Sequence, residues 1–141
     1  NIQSIKKLPE THNSIVKYSR TRNPFSHPSI LFKKTNVLKA GNYRSYHLVE
    51  DYDMWIRMIE TGTECYNIQE SLLCVRVSEN LYKRRGGVKY LKSILKFKTE
   101  QYKQGYFSFQ NYVVSSSCSI VSCLMPSLLR KLIYTKLLRK W

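Results

Sequence analysis

The stretch EDYDMWIRMIETG at residues 50–62 constrains the fold of this 141-residue chain more than any other segment. Its apolar residues recur at the i, i+1, i+4 and i+5 spacing of an amphipathic helix, namely Met54, Trp55, Met58 and Ile59. Three carboxylates stand in the expected first turn, and Gly62 follows the expected last turn, where glycine commonly ends a helix. The stretch therefore predicts a helix with one buried side and an acidic N-terminal turn.

The segments on either side of this helix contain short strand and helix patterns. The short apolar run ILF at 30–32, which follows two prolines, indicates a buried strand, and TNVLKAGNY at 35–43 indicates one helical turn. Farther along, ECYNI at 64–68 and LLCVRVS at 72–78 indicate two more short strands. Helical periodicity resumes over 88–104.

Positive charge is concentrated in the second half of the chain. The formal net charge is +15, and residues 79–141 hold 13 of the 24 Lys and Arg residues but only two of the nine acidic ones. The end of the chain, SLLRKLIYTKLLRKW, separates apolar from basic side chains around an expected helix, a pattern suited to an anionic membrane surface. We therefore divide the chain into residues 1–92 and a helical tail, 93–141, that is expected to associate with a membrane surface.

The four cysteines indicate neither a zinc site nor a dense disulfide framework. No CxxC pair and no histidine at metal-ligand spacing occurs among them, the four being Cys65, Cys74, Cys118 and Cys123. They are predicted to be reduced thiols without a chemical role.

The carboxylates Glu50, Asp51 and Asp53 have two interpretations at this point. In the first they stabilise the helix, because carboxylates in a first turn face unpaired backbone N–H groups and the positive end of the helix dipole, each worth roughly 0.3 to 1 kcal/mol. In the second they belong to a catalytic or binding site, together with His27 upstream and the basic loop YKRRGG downstream. The residues alone leave both interpretations open.

Four segments in a fixed order carry a resemblance to a known family. They are RNPFSHPSILFKKTNVLKAGNY at 22–43, EDYDMWIRMIETG at 50–62, NIQESLLCVRVS at 67–78 and YKRRGG at 82–87. In this order they resemble the C-terminal half of a family 2 glycosyltransferase from the amylovoran-type branch of bacterial capsule and exopolysaccharide synthesis. The resemblance runs from residue 22 to residue 92. It implies the C-terminal part of a GT-A fold, a Rossmann-like α/β domain, followed by the basic amphipathic helical tail.

The resemblance also implies an inverting sugar transfer in which Asp51 is the general base. Asp51 matches the Asp of the family's Glu-Asp pair, and a positioned carboxylate that takes the proton of an acceptor hydroxyl contributes about 10² to 10⁴ in rate. Glu50 is expected to support it by binding an acceptor hydroxyl or by tuning its charge. Asp53 points to another side of the helix and is expected to be structural, and Trp55 is expected in the core.

Three further residues are candidates for substrate binding. Arg84 and Arg85 stand beside two glycines, and Arg side chains match phosphate oxygens while glycines let a loop close over a leaving diphosphate. A solvated basic loop is the alternative interpretation. His27 is expected to face the donor phosphates or the acceptor pocket, with a structural role as its alternative.

The family's metal-binding Asp-x-Asp motif has no counterpart upstream of Arg22. The resemblance implies that Mg²⁺ or Mn²⁺ holds the donor diphosphate in the full-length enzyme. No metal site is expected in this chain. The chain is therefore expected to carry the acceptor side of the enzyme, to lack the nucleotide-binding N-terminal half, and to be inactive alone.

Together these features predict transfer from a nucleotide-sugar donor to a polyprenyl-diphosphate-linked glycan in surface polysaccharide synthesis. The expected location is cytoplasmic and peripheral, at the inner face of the bacterial plasma membrane. A non-catalytic, membrane-associated remnant of such an enzyme is one alternative. A nucleic-acid-binding protein is a second alternative that the pI of about 9.8 favours, but no helix-turn-helix, zinc-finger or RNA-binding motif is present and no nucleic acid is expected as a partner.

Overall fold

The structure is a computed structural model that describes residues 5–76, 86–126 and Leu129. A short 3-10 helix, His27–Ser29, lies between the first two α-helices of this part of the chain. The α-helices, in chain order, are α1 (His12–Ser19), α2 (Lys34–Lys39), α3 (Glu50–Glu60), α4 (Val88–Lys103) and α5 (Phe109–Leu124).

Helix α3 is the centre of the described structure, and it is the helix that the amphipathic pattern predicts. Every residue from Tyr52 to Met58 is buried, so the helix packs against neighbours on more than one side. Gly62, just past its end, has φ +86°, a left-handed conformation in which a side chain would be strained. The predicted helix and its predicted stop are both confirmed.

One side of α3 packs against α4 and the turn after it. Val49, Tyr52 and Ile56 form a buried cluster with three residues from that region, Ile94, Phe97 and Phe107. The rings of Tyr52 and Phe97 lie 4.7 Å apart between centroids. Because full burial of one such side chain stabilises a fold by about 1.5 to 3 kcal/mol, this cluster fixes α3 on the rest of the domain.

The other side of α3 packs against α2 and the loop before it. Met54, Trp55 and Met58 form a second buried cluster with Val37 and Ala40, and Phe25 and Ile30 cover its edge. This cluster holds the loop around residues 22–33 and the turn after α2 next to the first turn of α3. Both segments thereby lie beside the carboxylates.

Helices α4 and α5 form an antiparallel pair joined by the turn at 104–108. The serine-rich stretch of the sequence is helical within α5. Ser108 caps α5 by accepting a hydrogen bond from the Asn111 N–H at 3.2 Å. The predicted boundary between residues 92 and 93 falls inside α4. Within the described part of the chain, no helix is both long and apolar enough to cross a membrane. Apart from Leu129, the tail from residue 127 onward lies outside the described residues, so its membrane role stays a prediction.

The predicted strands are wrong for the residues that the structure describes, where 30–32 and 64–76 contain no strand. Leu31 is 99% exposed instead of buried, and Ile68, Leu72 and Val75 are also exposed. The segment at 64–68 makes one backbone hydrogen bond to another segment, from Asn67 N–H to the Glu10 carbonyl at 3.0 Å. A strand requires a ladder of such bonds, and short apolar runs by themselves do not supply the partner.

The predicted α/β class is accordingly not seen in residues 5–76 and 86–126, which are helical with extended connections. A Rossmann-like sheet is not visible in this part of the chain. Helix α3, which carries the carboxylates, lies where the sequence predicts it.

Candidate active site

The carboxylate of Asp51 lies against the loop that precedes the 3-10 helix. The Asn23 side-chain amide donates a hydrogen bond to Asp51 Oδ2 at 2.9 Å. The other end of that amide, Asn23 Oδ1, accepts a hydrogen bond from the Phe25 N–H at 3.2 Å. Since Asn23 is held at both ends, it fixes the orientation of Asp51, which remains only partly buried and can be reached from solvent.

Glu50 precedes Asp51 and is partly buried. Its Oε2 atom is buried and has no hydrogen-bond partner among the described residues. A buried carboxylate oxygen that lacks a partner costs free energy, and such atoms in native proteins call for a specific explanation. Glu50 and Asp51 therefore present one fixed and one unsatisfied carboxylate at the start of α3.

Helix α3 has no side-chain N-cap, since Val49 occupies that position. The capping interpretation is thus reduced to the interaction of the carboxylates with the helix dipole, a favourable term for negative charge in a first turn.

His27 and Tyr43 form a pair beside these carboxylates. The His27 Nε2 and the Tyr43 hydroxyl lie 3.0 Å apart, within hydrogen-bond distance. The His27 ring also contacts Trp55 edge-on, with centroids 5.8 Å apart, and Trp55 follows Asp51 by one turn of α3. His27 thus lies on the side of the helix where the sequence predicts a site.

The electrostatics of Tyr43 connect it with both carboxylates. Burial raises the pKa of the Tyr43 phenol above its usual value, and the negative charges of Asp51 and Glu50 raise it further. The phenol therefore keeps its proton at neutral pH and can act as a hydrogen-bond donor beside the two carboxylates.

Asp53 lies on a different side of α3 and has a different environment. It is fully buried and pairs with Arg57, whose Nη2 lies 2.8 Å from Asp53 Oδ2. The more exposed Arg44 is a second, weaker neighbour at 3.9 Å from Asp53 Oδ1. The structural role predicted for Asp53 agrees with these contacts.

Trp55 is 2% exposed and packs edge-on against Phe25, with ring centroids 5.8 Å apart. Its predicted core position is confirmed. Because it contacts Phe25 and His27 together, it also fixes the loop that supplies Asn23.

Two predicted substrate-binding residues, Arg84 and Arg85, lie outside the described residues, so their role stays a prediction. In the described part of the chain, no group of three or more His, Cys, Asp or Glu side chains is arranged to hold a metal ion. The four cysteines form no disulfide, and burial raises the pKa of the Cys65 thiol to about 11.

A pocket of about 480 Å³ lies between α1 and α5, away from Glu50 and Asp51. It is lined by Ser14, Lys17, Tyr18, Arg20, Thr21 and Asn111. We place the candidate site at the carboxylates and not in this pocket, because the pocket contains no carboxylate or other group suited to proton transfer at neutral pH.

Asn23 and Tyr43 are site residues that the sequence analysis missed. Both fall within the segment 22–43 that carries the resemblance, but neither residue type is by itself a catalytic signal. Their approach to Asp51 and His27 depends on how the loop and the turn after α2 pack on α3, which periodicity does not reveal.

Comparison with curated proteins shows that the chain is homologous to glycosyltransferases. Over 97% of its length it is 39% identical to the UDP-Gal:alpha-D-GlcNAc-diphosphoundecaprenol beta-1,3-galactosyltransferase of Escherichia coli, of which it covers 50%. It is 34% identical to the amylovoran biosynthesis glycosyltransferase AmsE of Erwinia amylovora, over 64% of the chain and 34% of that protein. It is 28% identical to an uncharacterized glycosyltransferase of Haemophilus influenzae, over 99% of the chain and 52% of that protein.

The chain spans about half the length of the first and third of these relatives and about a third of the second. The matched part is the C-terminal region of the relatives, so the resemblance predicted from the motifs is confirmed at the level of glycosyltransferases. No family model matches the chain. No solved structure matches it either.

Proposed function

We propose that this chain is the acceptor-side part of an inverting family 2 glycosyltransferase with a GT-A fold. The observation that carries the proposal is the first turn of α3, where Asn23 fixes the Asp51 carboxylate at 2.9 Å and Glu50 keeps a buried oxygen without a partner among the described residues. Because the chain is homologous to glycosyltransferases, these carboxylates are proposed to act in sugar transfer.

In the proposed reaction Asp51 is the general base. A hydroxyl of the acceptor sugar lies against the solvent-accessible part of the Asp51 carboxylate, which takes the hydroxyl proton as the oxygen attacks the anomeric carbon of the donor. The new bond joins the acceptor oxygen to that carbon. The bond from the carbon to the diphosphate oxygen breaks, and the nucleoside diphosphate leaves from the opposite face with the bonding electrons.

The surroundings of Asp51 fit this role. The Asn23 amide orients the carboxylate by donating a hydrogen bond to one of its two oxygens. Glu50, next to Asp51 in the first turn of α3, is proposed to support the base through its negative charge. His27 contacts Tyr43 and Trp55, and it is proposed to border the same acceptor sugar.

The substrates of this proposal are a nucleotide-sugar donor and a polyprenyl-diphosphate-linked glycan. The first relative described above carries an acceptor of this type in its name, diphosphoundecaprenol. Arg84 and Arg85 are proposed to bind the leaving diphosphate, since paired guanidinium groups match phosphate oxygens. The basic end of the chain is proposed to associate with an anionic membrane surface on the cytoplasmic side, close to the lipid head group.

A divalent metal is expected at the donor diphosphate of such an enzyme. The described residues offer no group of three or more His, Cys, Asp or Glu side chains that fits Mg²⁺ or Mn²⁺.

The test is sugar transfer by the intact protein that contains this chain. UDP-galactose and GlcNAc-diphosphoundecaprenol serve as first probes, followed by other nucleotide sugars. Asp51→Asn should lower the transfer rate by about 10² to 10⁴, because the amide cannot take a proton. Glu64→Gln, which removes an exposed carboxylate beyond α3, is the matched control and should leave the rate unchanged. Equal rates for Asp51→Asn and wild type would refute the assignment of the base.

A further inference from the structure

We propose that Tyr43 is a further acceptor-binding residue, and that the buried pair of Asp53 and Arg57 positions it beside Asp51. This inference rests on the proposed function, because it identifies how the same site holds its acceptor sugar.

Tyr43 follows a turn with an uncommon backbone conformation. Gly41 has φ +80° and Asn42 has φ +60°, so two consecutive residues adopt the left-handed region. A residue other than glycine pays a steric cost there, which the surrounding contacts must offset. The Asn42 side chain contributes one such contact, since its Oδ1 accepts a hydrogen bond from the Tyr43 N–H at 2.8 Å.

The guanidinium of Arg57 supplies two further contacts, in addition to the backbone hydrogen bonds from Gly41 N–H to the Leu38 carbonyl and from Asn42 N–H to the Val37 carbonyl. It donates to the Ala40 carbonyl through Nη1 and to the Asn42 carbonyl through Nη2, the second at 2.7 Å. These carbonyls stand on either side of Gly41, so one planar group binds both sides of the turn. A rigid fork of donors suits this task better than the single ammonium of a lysine.

Asp53 in turn fixes the guanidinium. Arg57 Nε donates to Asp53 Oδ2 at 2.9 Å, and Nη2 lies 2.8 Å from the same oxygen. Asp53 is 0% exposed and Arg57 is 6% exposed, so neither side chain has solvent as an alternative partner. Asp53 follows Asp51 by two positions, which places their side chains on different sides of α3. One carboxylate is thus open to solvent while the other anchors the turn.

Tyr43 is suited to binding a sugar. It is 41% exposed, while its hydroxyl lies 3.0 Å from His27 Nε2. An aromatic ring offers an apolar face for the C–H groups of a sugar, and its hydroxyl offers a hydrogen bond at the edge. The phenol stays protonated beside the two carboxylates, so it donates its proton in a hydrogen bond to an oxygen of the acceptor sugar.

The test compares Michaelis constants in the intact transferase. Tyr43→Phe removes one hydroxyl and should raise KM for the acceptor by about three- to tenfold, with KM for the nucleotide sugar and the unfolding midpoint unchanged. Tyr66→Phe, which changes an exposed tyrosine in the segment after α3, is the matched control and should behave as wild type. An acceptor KM for Tyr43→Phe within twofold of wild type would overturn the proposal.

The role of Arg57 is tested by a double-mutant cycle. Arg57→Lys should raise the acceptor KM as well, and the variant that combines it with Tyr43→Ala should show no larger increase than Tyr43→Ala alone, because Arg57 acts through the ring and hydroxyl of Tyr43. Additive increases in the acceptor KM would contradict the positioning role of Arg57. If Arg57→Lys does not fold, Asn42→Ala replaces it in the cycle, since it deletes the bond to the Tyr43 N–H at an exposed position.

These outcomes are separable from failure of the proposed function. An intact protein with no transfer activity, or with an active Asp51→Asn variant, overturns the proposed reaction and this inference together. An inactive Asp51→Asn variant with a normal acceptor KM in Tyr43→Phe overturns this inference alone.

Discussion

The two sides of α3 place their carboxylates in different environments. Asp53 is fully buried, and its Oδ2 accepts two contacts from Arg57, while its Oδ1 has no hydrogen-bond partner among the described residues. Asp51 is only partly buried, and it receives one hydrogen bond from Asn23, while its neighbour Glu50 keeps a buried oxygen without a partner among the described residues. The carboxylates of one helical turn therefore differ in exposure and in the partner they have: Asp53 is buried against a guanidinium, whereas Asp51 is partly exposed and accepts from an amide.

This difference separates a structural carboxylate from one that is available for chemistry. A buried charge is tolerated only with a partner, and removal of the partner is costly. A catalytic carboxylate must instead keep an accessible oxygen for the proton it receives. The comparison predicts large stability effects on the Asp53 side and small ones on the Asp51 side, and the following predictions run from the largest effect to the smallest.

The largest expected effect is from Asp53→Asn. The substitution leaves the buried Arg57 guanidinium without a counter-charge and should lower the free energy of unfolding by about 3 to 5 kcal/mol. Urea denaturation followed by circular dichroism measures it. Arg44→Ala is the control, because Arg44 is about half exposed and 3.9 Å away, and it should cost less than about 1 kcal/mol. Similar losses of unfolding free energy in Asp53→Asn and Arg44→Ala would contradict a structural role for the buried carboxylate.

Lys98 is a buried charge that, unlike Asp53, has no oppositely charged partner among the described residues. It is 3% exposed and bonds to the Ser115 carbonyl and to Ser119 Oγ, at 2.6 Å for the latter. Burial lowers its pKa from 10.5 to about 8, although Cys118 and Cys123 oppose the shift. Since the folded state holds this proton less tightly than the unfolded state, the stability penalty is complete below pH 8 and disappears as the pH rises toward 10.5.

The corresponding measurement is the unfolding free energy between pH 7 and pH 10. Wild type should gain up to about 3 kcal/mol from Lys98 over this range, and Lys98→Met should remove that gain. The difference between the two proteins isolates Lys98 from the tyrosines that titrate at higher pH. Parallel pH profiles for the two would show that the Lys98 ammonium is not destabilised by burial.

Tyr52→Phe tests the packed side of α3 that faces α4. The Tyr52 hydroxyl donates to the buried Ser19 carbonyl at 2.6 Å, and the substitution leaves that carbonyl with one partner fewer. The expected loss of unfolding free energy is about 1 to 2 kcal/mol. Thermal unfolding provides the measurement, and an unchanged midpoint would contradict the expectation.

The smallest expected effect on stability is from Asp51→Asn. The amide oxygen still accepts the hydrogen bond from Asn23, so the unfolding free energy should change by less than about 1 kcal/mol. Chemical denaturation of Asp51→Asn next to Asp53→Asn provides the measurement. A loss as large as that of Asp53→Asn would mean that both carboxylates are structural.

Helix α3 could be predicted from the sequence because its signals are local. Met54, Trp55 and Met58 mark the buried face, the acidic residues mark the first turn, and Gly62 marks the end. The pairing of Asp53 with Arg57 is also readable as an i, i+4 spacing, although its complete burial is not. The candidate carboxylates follow from the same segment and its resemblance to glycosyltransferases.

The contacts that complete the site could not be predicted in this way. Asn23 reaches Asp51 across 28 positions of sequence, and Tyr43 reaches His27 across 16. Such contacts depend on how loops pack on α3, and side-chain type alone does not determine that packing. The strands predicted at 30–32 and 64–68 were wrong for a related reason, since apolar runs indicate burial but do not identify a pairing partner.

The most direct test of the central claim is kcat for Asp51→Asn and Asp53→Asn in the same intact transferase, at saturating acceptor and corrected for the folded fraction. The account predicts that Asp51→Asn loses about 10² to 10⁴ in kcat with an unchanged unfolding midpoint, while Asp53→Asn loses stability and keeps kcat within about tenfold of wild type. A folded Asp51→Asn protein with the kcat of wild type would contradict it.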